Sequence, residues 1–286
     1  MTMPAPLPQI IIEPLVRMAL AEDFGRSGDI TGNATIPAET RSRVVIAARE
    51  TGRIAGLDLA ECAFLSVDPQ LNIKRLKPEG SDVAKGDAVM EIEGRARSIL
   101  AAERVALNFV GRMSGIATLT LKMVRATGNH KARIAATRKT TPGLRAIEKY
   151  AVMVGGGIPH RYGLDDAILI KDNHIAMAGG VRNAIRSAKQ SIGHTVKLEV
   201  EVDTLSQLDE VLDEGVDIVM LDNMSIDDMT TAVARVAGRA LVEASGGVTL
   251  DRIPAIAATG VDLISSGAIT HSAPNFDVGL DFKAAA

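Results

Sequence analysis

The chain has 286 residues, enough for two ordinary domains or one large one, with 47% hydrophobic and 23% charged residues. A net charge of −3 supplies no general attraction to nucleic acid or a membrane surface, and a single cysteine, Cys62, excludes a disulfide framework and a thiolate metal cluster. The opening MTMPAPLPQIIIEPL has no basic segment leading into a long apolar one, and no apolar run reaches membrane-spanning length, so the expected address is the cytoplasm.

Taken in chain order, residues 10–21 read as an amphipathic helix. Residues 42–49, 53–57, 72–77 and 88–92 read as strands, separated by turns such as Glu79-Gly80 and Lys85-Gly86-Asp87. A long helix with an apolar face is expected over 98–112. Strands gathered together with helices at the ends predict an α+β domain over residues 1–115, with a boundary near 114–118. Within it, 80–94 (GSDVAKGDAVMEIEG) resembles the hairpin of biotinyl and lipoyl carriers. No lysine occupies Val89-Met90, where the carrier's modified residue falls, so a structural β-sandwich hairpin is expected instead.

Beyond the boundary one unit repeats, an apolar run ending in polar residues and then an amphipathic helix. Strands are predicted at 133–138, 167–171, 196–202, 217–221, 240–244 and 262–265. Helices are predicted at 142–154, 180–191, 205–214, 226–236 and 250–258. Continuous apolar strands alternating with helices imply a parallel sheet. About six to seven such units span 116–270, fewer than an eightfold barrel needs, so the fold class is a short, incomplete TIM-like α/β barrel. An open doubly wound sheet is the alternative, weakened by the lack of a G-x-G-x-x-G after the first strand. Residues 271–286 are expected to return to the N-terminal domain.

Cations crowd the stretch from Ala136 to His174: Arg138, Lys139, Arg145, Lys149, His160, Arg161, Lys171 and His174. Gathering them in a near-neutral protein is costly unless a polyanion compensates, which points to a small, multiply negative substrate. With no Trp and two Tyr, a ligand ring is expected to be gripped at its edges. Parallel barrels carry their sites at the carboxyl ends of the strands. Those ends read Arg138-Lys139, Lys171-Asp172, Glu201 with Asp203, Asp222-Asn223, Ser245-Gly246-Gly247 and Ser265-Ser266-Gly267. Taken singly, each is most simply a solvated charge or, for Asp222, a helix cap. Six complementary strand ends in succession point instead to a site. Its cations suit carboxylates or pyrophosphate, its carboxylates suit Mg²⁺ or ribose hydroxyls, and its Ser/Gly turns suit a phosphate. His130, His194 and His271 have no such setting.

The motifs ATRKTTPGLR, EKYAVMVGGGIPHRYGLDDAILIKDNHI, LEVEVD, VMLDN, VEASGGVT and ISSGAIT, with ALAEDFGRSGDIT and AAERVALNFVGRMSGIAT upstream, resemble the quinolinate phosphoribosyltransferases over residues 15–282. The resemblance implies an α+β open sandwich followed by a short barrel. It also implies a homodimer in which Arg104 reaches the partner's site. Arg138, Lys139, His160, Arg161 and Lys171 would hold the quinolinate carboxylates and pyrophosphate, and Thr137 would also bind substrate. Glu201 and Asp222 would face the ribose and Mg²⁺, and Ser245, Gly246, Gly247, Ser265, Ser266 and Gly267 would hold the 5′-phosphate. Lys139, Lys171, Glu201 and Asp222 are the candidates for the catalytic step. Pro159 departs from the Asn that many relatives carry before His-Arg, removing one side-chain donor. The implied reaction joins quinolinate to phosphoribosyl pyrophosphate, giving nicotinate mononucleotide, pyrophosphate and CO₂. The rival expectations are a paralogue acting on another pyridine or a molybdenum-related ligand, a Schiff-base aldolase using Lys171, and a non-catalytic metabolite-binding module.

Overall fold

A computed structural model describes residues 3–282 of the chain. Helices α1 (Gln9–Phe24) and α2 (Ile30–Thr35) lead into β1 (Arg41–Ala48), β2 (Gly52–Arg53) and α3 (Leu57–Val67). Strands β3 (Asn72–Arg75), β4 (Asp82–Val83) and β5 (Ala88–Arg95) precede α4 (Ala96–Ala126). Next come β6 (Arg133–Ala135), α5 (Arg145–Val154), β7 (Ile168–Ile170), α6 (Asp172–Met177), α7 (Val181–Ser191) and β8 (Leu198–Val202). The remaining elements are α8 (Leu205–Glu214), β9 (Ile218–Asp222), α9 (Ile226–Val236), β10 (Leu241–Ser245), α10 (Ile253–Ala258), β11 (Leu263–Ser265), α11 (Ala268–His271) and β12 (Val278–Phe282). Among the described residues no helix is long and apolar enough to cross a membrane.

The chain forms two compact units. The first holds the chain through Leu121, Thr141–Gly156 and the chain from Ser272; the second holds Lys122–Thr140 and Gly157–His271. Residues 114–118, where the sequence suggests a boundary, lie within α4. Of the expected C-terminal segment 271–286, residues 283–286 lie outside the described residues, as do residues 1 and 2.

The first unit is built on an antiparallel sheet ordered β12-β1-β5-β3. Strand β1 buries Val44–Ala48 continuously. Helix α1 buries Ile12, Val16 and Leu20, one residue per turn. Three expectations need correction. Residues 53–57 do not form a strand, because Gly56 turns the chain at φ 94° and α3 starts at Leu57. The N–H groups of Gly56 and Leu57 donate to Glu79 at 2.7 and 3.1 Å, which caps that helix. Residues 80–94 are not a paired hairpin: β4 pairs with β2, whereas β5 pairs with β1 and β3.

Helix α4 also runs well past 112. Gly111 and Gly115 let the chain at Pro274–Phe276 cross the helix closely. A Cβ on Gly115 would sit 2.0 Å from the Pro274 carbonyl oxygen, and the Phe276 N–H donates to Gly111 O at 2.9 Å. Strand β12 then pairs antiparallel with β1.

The second unit is a parallel sheet ordered β6-β11-β10-β9-β8-β7, extended past β6 by a parallel bridge between Ala135 and Ile158. This is an incomplete α/β barrel. Its strands alternate two kinds of residue. Val200, Val202, Val219, Leu221, Val242, Ala244 and Ile264 are apolar and buried, while the intervening positions carry Glu199, Glu201, Met220, Asp222, Glu243 and Ser245, all but one of them polar. The covering helices bury one stripe each, such as Leu208 and Val211 on α8 or Met229, Ala232 and Val236 on α9. Apolar faces thus pack the strands against helices, and a polar interior is left for chemistry.

Candidate active site

A cavity of about 500 Å³ opens in the second unit. Its lining comes almost wholly from strand ends and the turns after them: Thr137, Arg138 and Lys139 after β6, Lys171 after β7, and Glu201 on β8. Asp222 and Asn223 follow on β9, Ser245, Gly246 and Gly247 on β10, and Ser265 on β11. His160 and Arg161, next to the Ile158 bridge, complete the wall, with Leu169, Met220 and Glu243 deeper on the strands.

Around the barrel the order differs from the order along the chain. Because β6 pairs with β11, the first cations stand beside the last Ser/Gly turn. The Lys139 carbonyl accepts from Thr270 Oγ1 at 2.7 Å, and a Cβ on Gly267 would approach Lys139 Cδ to 2.7 Å. Only glycine at 267 lets the Lys139 stem lie there. Cations, carboxylates and small turns therefore form one continuous ring.

Several side chains hold one another. Lys171 Nζ is paired with Glu201, and the Lys171 amide donates to His174 Nδ1 at 3.0 Å. Asn223 Nδ2 donates to Asp222 Oδ2 at 2.8 Å. Helix α9 is capped by Ser225, which accepts from Asp228 N at 3.1 Å, so Asp222 is not its cap. Gly246 and Gly247 sit at φ 82° and 57°, and a Cβ on Gly246 would fall 2.3 Å from Asn223 Oδ1. Such a turn brings backbone close to a ligand.

The cationic wall is electrostatically loaded. Arg161 is pulled below the usual arginine value by burial and by neighbouring Arg138, and Arg138 Nε is buried with no hydrogen-bond acceptor. For His160, burial opposes the charge, but the carboxylates of Glu199 and Glu243 outweigh it and push the pKa up to about 9. Acting against that, the Arg161 N–H donates to His160 Nδ1 at 2.7 Å, a bond only the neutral ring accepts. The geometry is therefore that of the neutral ring, and charging it means giving up that bond.

Not every expected residue is gathered here. Ser266 and Gly267 do not line the cavity, and the Ser266 amide is used by Ala135 O at 3.1 Å. Asp203 is exposed and outside it. Of the crowded cations, Arg145 and Lys149 belong to the first unit, and His174 is exposed. Arg104 lies on α4 in the first unit, where it lines a smaller cavity with Glu22, Asp23, Asn108 and Arg112. Sequence reasoning missed Glu199 and Glu243. The signal was present in LEVEVD, because a strand that turns Glu201 inward turns Glu199 inward as well.

Models of the quinolinate phosphoribosyl transferase C-terminal and N-terminal domains match residues 116–281 and 29–114. The chain is 43% identical over 291 residues to quinolinate phosphoribosyltransferase (decarboxylating) 2b of Nicotiana tabacum, covering 96% of this chain and 82% of that protein. It is also 43% identical to a probable nicotinate-nucleotide pyrophosphorylase (carboxylating) of Synechocystis, covering 98% and 96%. The solved nicotinate-nucleotide pyrophosphorylase of Francisella tularensis superposes with a TM-score of 0.94 at 39% identity, over 99% of this chain and 100% of that one.

Proposed function

The chain belongs to the quinolinate phosphoribosyltransferase family and transfers phosphoribosyl from phosphoribosyl pyrophosphate to quinolinate with decarboxylation, making nicotinate mononucleotide for NAD synthesis; we propose that the strand-end cavity is where it does so. The observation that carries this is the ring of cations, carboxylates and Ser/Gly turns around one cavity of about 500 Å³.

Arg138, Lys139, His160, Arg161 and Lys171 receive the two pyridine carboxylates and the pyrophosphate, with the planar guanidinium groups suited to paired carboxylate contacts. Ser245, Gly246, Gly247 and Ser265 receive the 5′-phosphate through hydroxyl and backbone donors, and Thr137 sits beside them. Glu201 and Asp222 face the ribose. Lys171 engages one oxygen of Glu201 and Asn223 one oxygen of Asp222, which leaves Glu201 Oε1 and Asp222 Oδ1 as donors. This all-oxygen set suits Mg²⁺, which when bound would offset charge on the departing pyrophosphate.

Chemically, the pyridine nitrogen forms a bond to ribose C1 as the bond from C1 to pyrophosphate breaks. Positive charge gathers on the sugar and negative charge on the leaving group, where Lys139 and its cationic neighbours stabilise it. Positioning of the ring nitrogen against C1 is the other contribution. Once quaternised, the ring accepts the electron pair left when the C2 carboxylate departs as CO₂, and C2 then takes up one proton. Decarboxylation therefore follows glycosidic bond formation. A Schiff-base role for Lys171 is disfavoured, since its ammonium is engaged by Glu201 and such a nucleophile must be a neutral amine.

A homodimer and a cytoplasmic setting complete the proposal. Arg104 is exposed and has no hydrogen-bond or ion-pair partner among the described residues, which suits a residue that serves the partner's site. The experiment that tests the function follows pyrophosphate release with quinolinate and nicotinate side by side. Release with quinolinate and essentially none with nicotinate is expected; comparable turnover of nicotinate would contradict the assignment.

A further inference from the structure

One strand repeat below Glu201 and Ser245, two carboxylates are enclosed in the barrel. Glu199 on β8 is 3% exposed and Glu243 on β10 is fully buried. Neither oxygen of Glu243 receives a hydrogen bond, nor does Glu199 Oε1. Two buried carboxyl groups with so few donors are expensive, so something must repay them locally. What faces both is a single imidazole edge: His160 Nε2 lies 3.4 Å from Glu199 Oε2 and 3.6 Å from Glu243 Oε1.

The other edge of that ring is held too, with Nδ1 accepting the Arg161 amide at 2.7 Å. His160 itself sits at φ 50°, in the left-handed region that a residue with a Cβ enters only when its surroundings impose it. Backbone, the Arg161 amide and Glu199 thus hold one ring that lines the cavity, with Glu243 facing the same ring edge. Glu199 also faces Arg161, offsetting the repulsion between Arg161 and Arg138. The proposed substrate contacts do not use these carboxylates, and the polar wall rests on them.

Building on the reading of the cavity given above, we propose that Glu199 and Glu243 are positioning residues for the pyridine dicarboxylate, acting through His160. They fix the ring and supply the counter-charge that lets the cationic wall stand assembled before substrate arrives. Neither touches the reacting atoms.

The test is a double-mutant cycle on the full-length protein with Glu243→Gln and His160→Ala. Glu243→Gln is expected to raise the quinolinate KM by about tenfold or more, the scale of a coupled buried pair, while the phosphoribosyl pyrophosphate KM stays within about twofold. In the His160→Ala background the same substitution should change the quinolinate KM by less than about twofold. An unchanged quinolinate KM in the first background, or an equal rise in both, would overturn the proposal. So would a stoichiometric divalent metal in the purified protein that is lost with Glu243→Gln, because the three groups would then be ligands. If Glu243→Gln does not fold, Glu199→Gln carries the same readouts. The cycle is also read in denaturant unfolding without substrate. A wild type inert toward quinolinate would therefore remove the functional reading, while the unfolding coupling still decides whether His160 is anchored.

Discussion

Lys139 shows how the site works at the scale of one residue. Its carbonyl is held by Thr270, its stem lies over Gly267, and its side chain lines the cavity where β6 meets β11. A lysine so placed would meet an anion with little freedom to lose. Replacing it with alanine is expected to weaken binding of both anionic substrates by about 2–5 kcal/mol, as measured through kcat/KM. Mixing Lys139→Ala with Arg104→Ala should restore part of the activity, because one pairing of subunits then holds an intact site. Unchanged kinetics for Lys139→Ala would remove it from the pocket, and failure of the mixture to recover would count against a site shared between subunits. The motif ATRKTTPGLR marks Lys139 as a candidate, but its neighbours are not readable there. The chain places Lys139 and Gly267 far apart, and only the pairing of β6 with β11 brings them together.

At the scale of elements, the second half was more legible than the first. Helices α8 and α9 begin and end where their periodicity predicts, and all six predicted barrel strands are present, four of them shorter than predicted and β9 and β10 shifted by one residue. Repetition explains this, since each βα unit is local and carries its own pattern. The first half depends on distant contacts. Helix α3 is hidden because its cap comes from Glu79, more than twenty residues away, and the part of α4 beyond 112 packs under the C-terminal chain at Gly115, a contact the local sequence does not show.

The Glu79 cap carries a pH signature. Burial pushes its pKa up to about 7, outweighing the two backbone donors that favour the carboxylate. A group raised in the folded state stabilises fully below its unfolded value and loses that contribution as pH rises through the folded value. Wild type should therefore lose stability relative to Glu79→Gln between about pH 4.5 and 7, by at most about 3 kcal/mol. Urea midpoints of both proteins across that window check it, and a constant difference would place the Glu79 pKa at its ordinary value.

On the scale of the whole molecule, the function rests on coupling two bond changes that neither substrate undergoes alone. The dicarboxylate supplies both the nucleophile and the group to be lost, and the phosphosugar supplies the charge that makes the loss possible. The net charge of −3 says nothing of this by itself; inside the barrel Glu201 is paired with Lys171, and Glu199 and Glu243 face His160. The fold class and the strand-end location were legible from repeating units and polar strand ends. The buried glutamates were legible only in part: the alternation in LEVEVD puts Glu199 on the same face as Glu201, but an acidic residue within an apolar strand reads equally as exposed polar alternation, so its burial was not.

The most direct measurement uses quinolinate labelled at its C2 carboxylate, following labelled CO₂ and pyrophosphate together. No labelled CO₂ is expected from enzyme, quinolinate and Mg²⁺ alone, and equal amounts of CO₂ and pyrophosphate are expected once phosphoribosyl pyrophosphate is added. Release of the label at the catalytic rate without the phosphoribosyl donor would contradict that expectation.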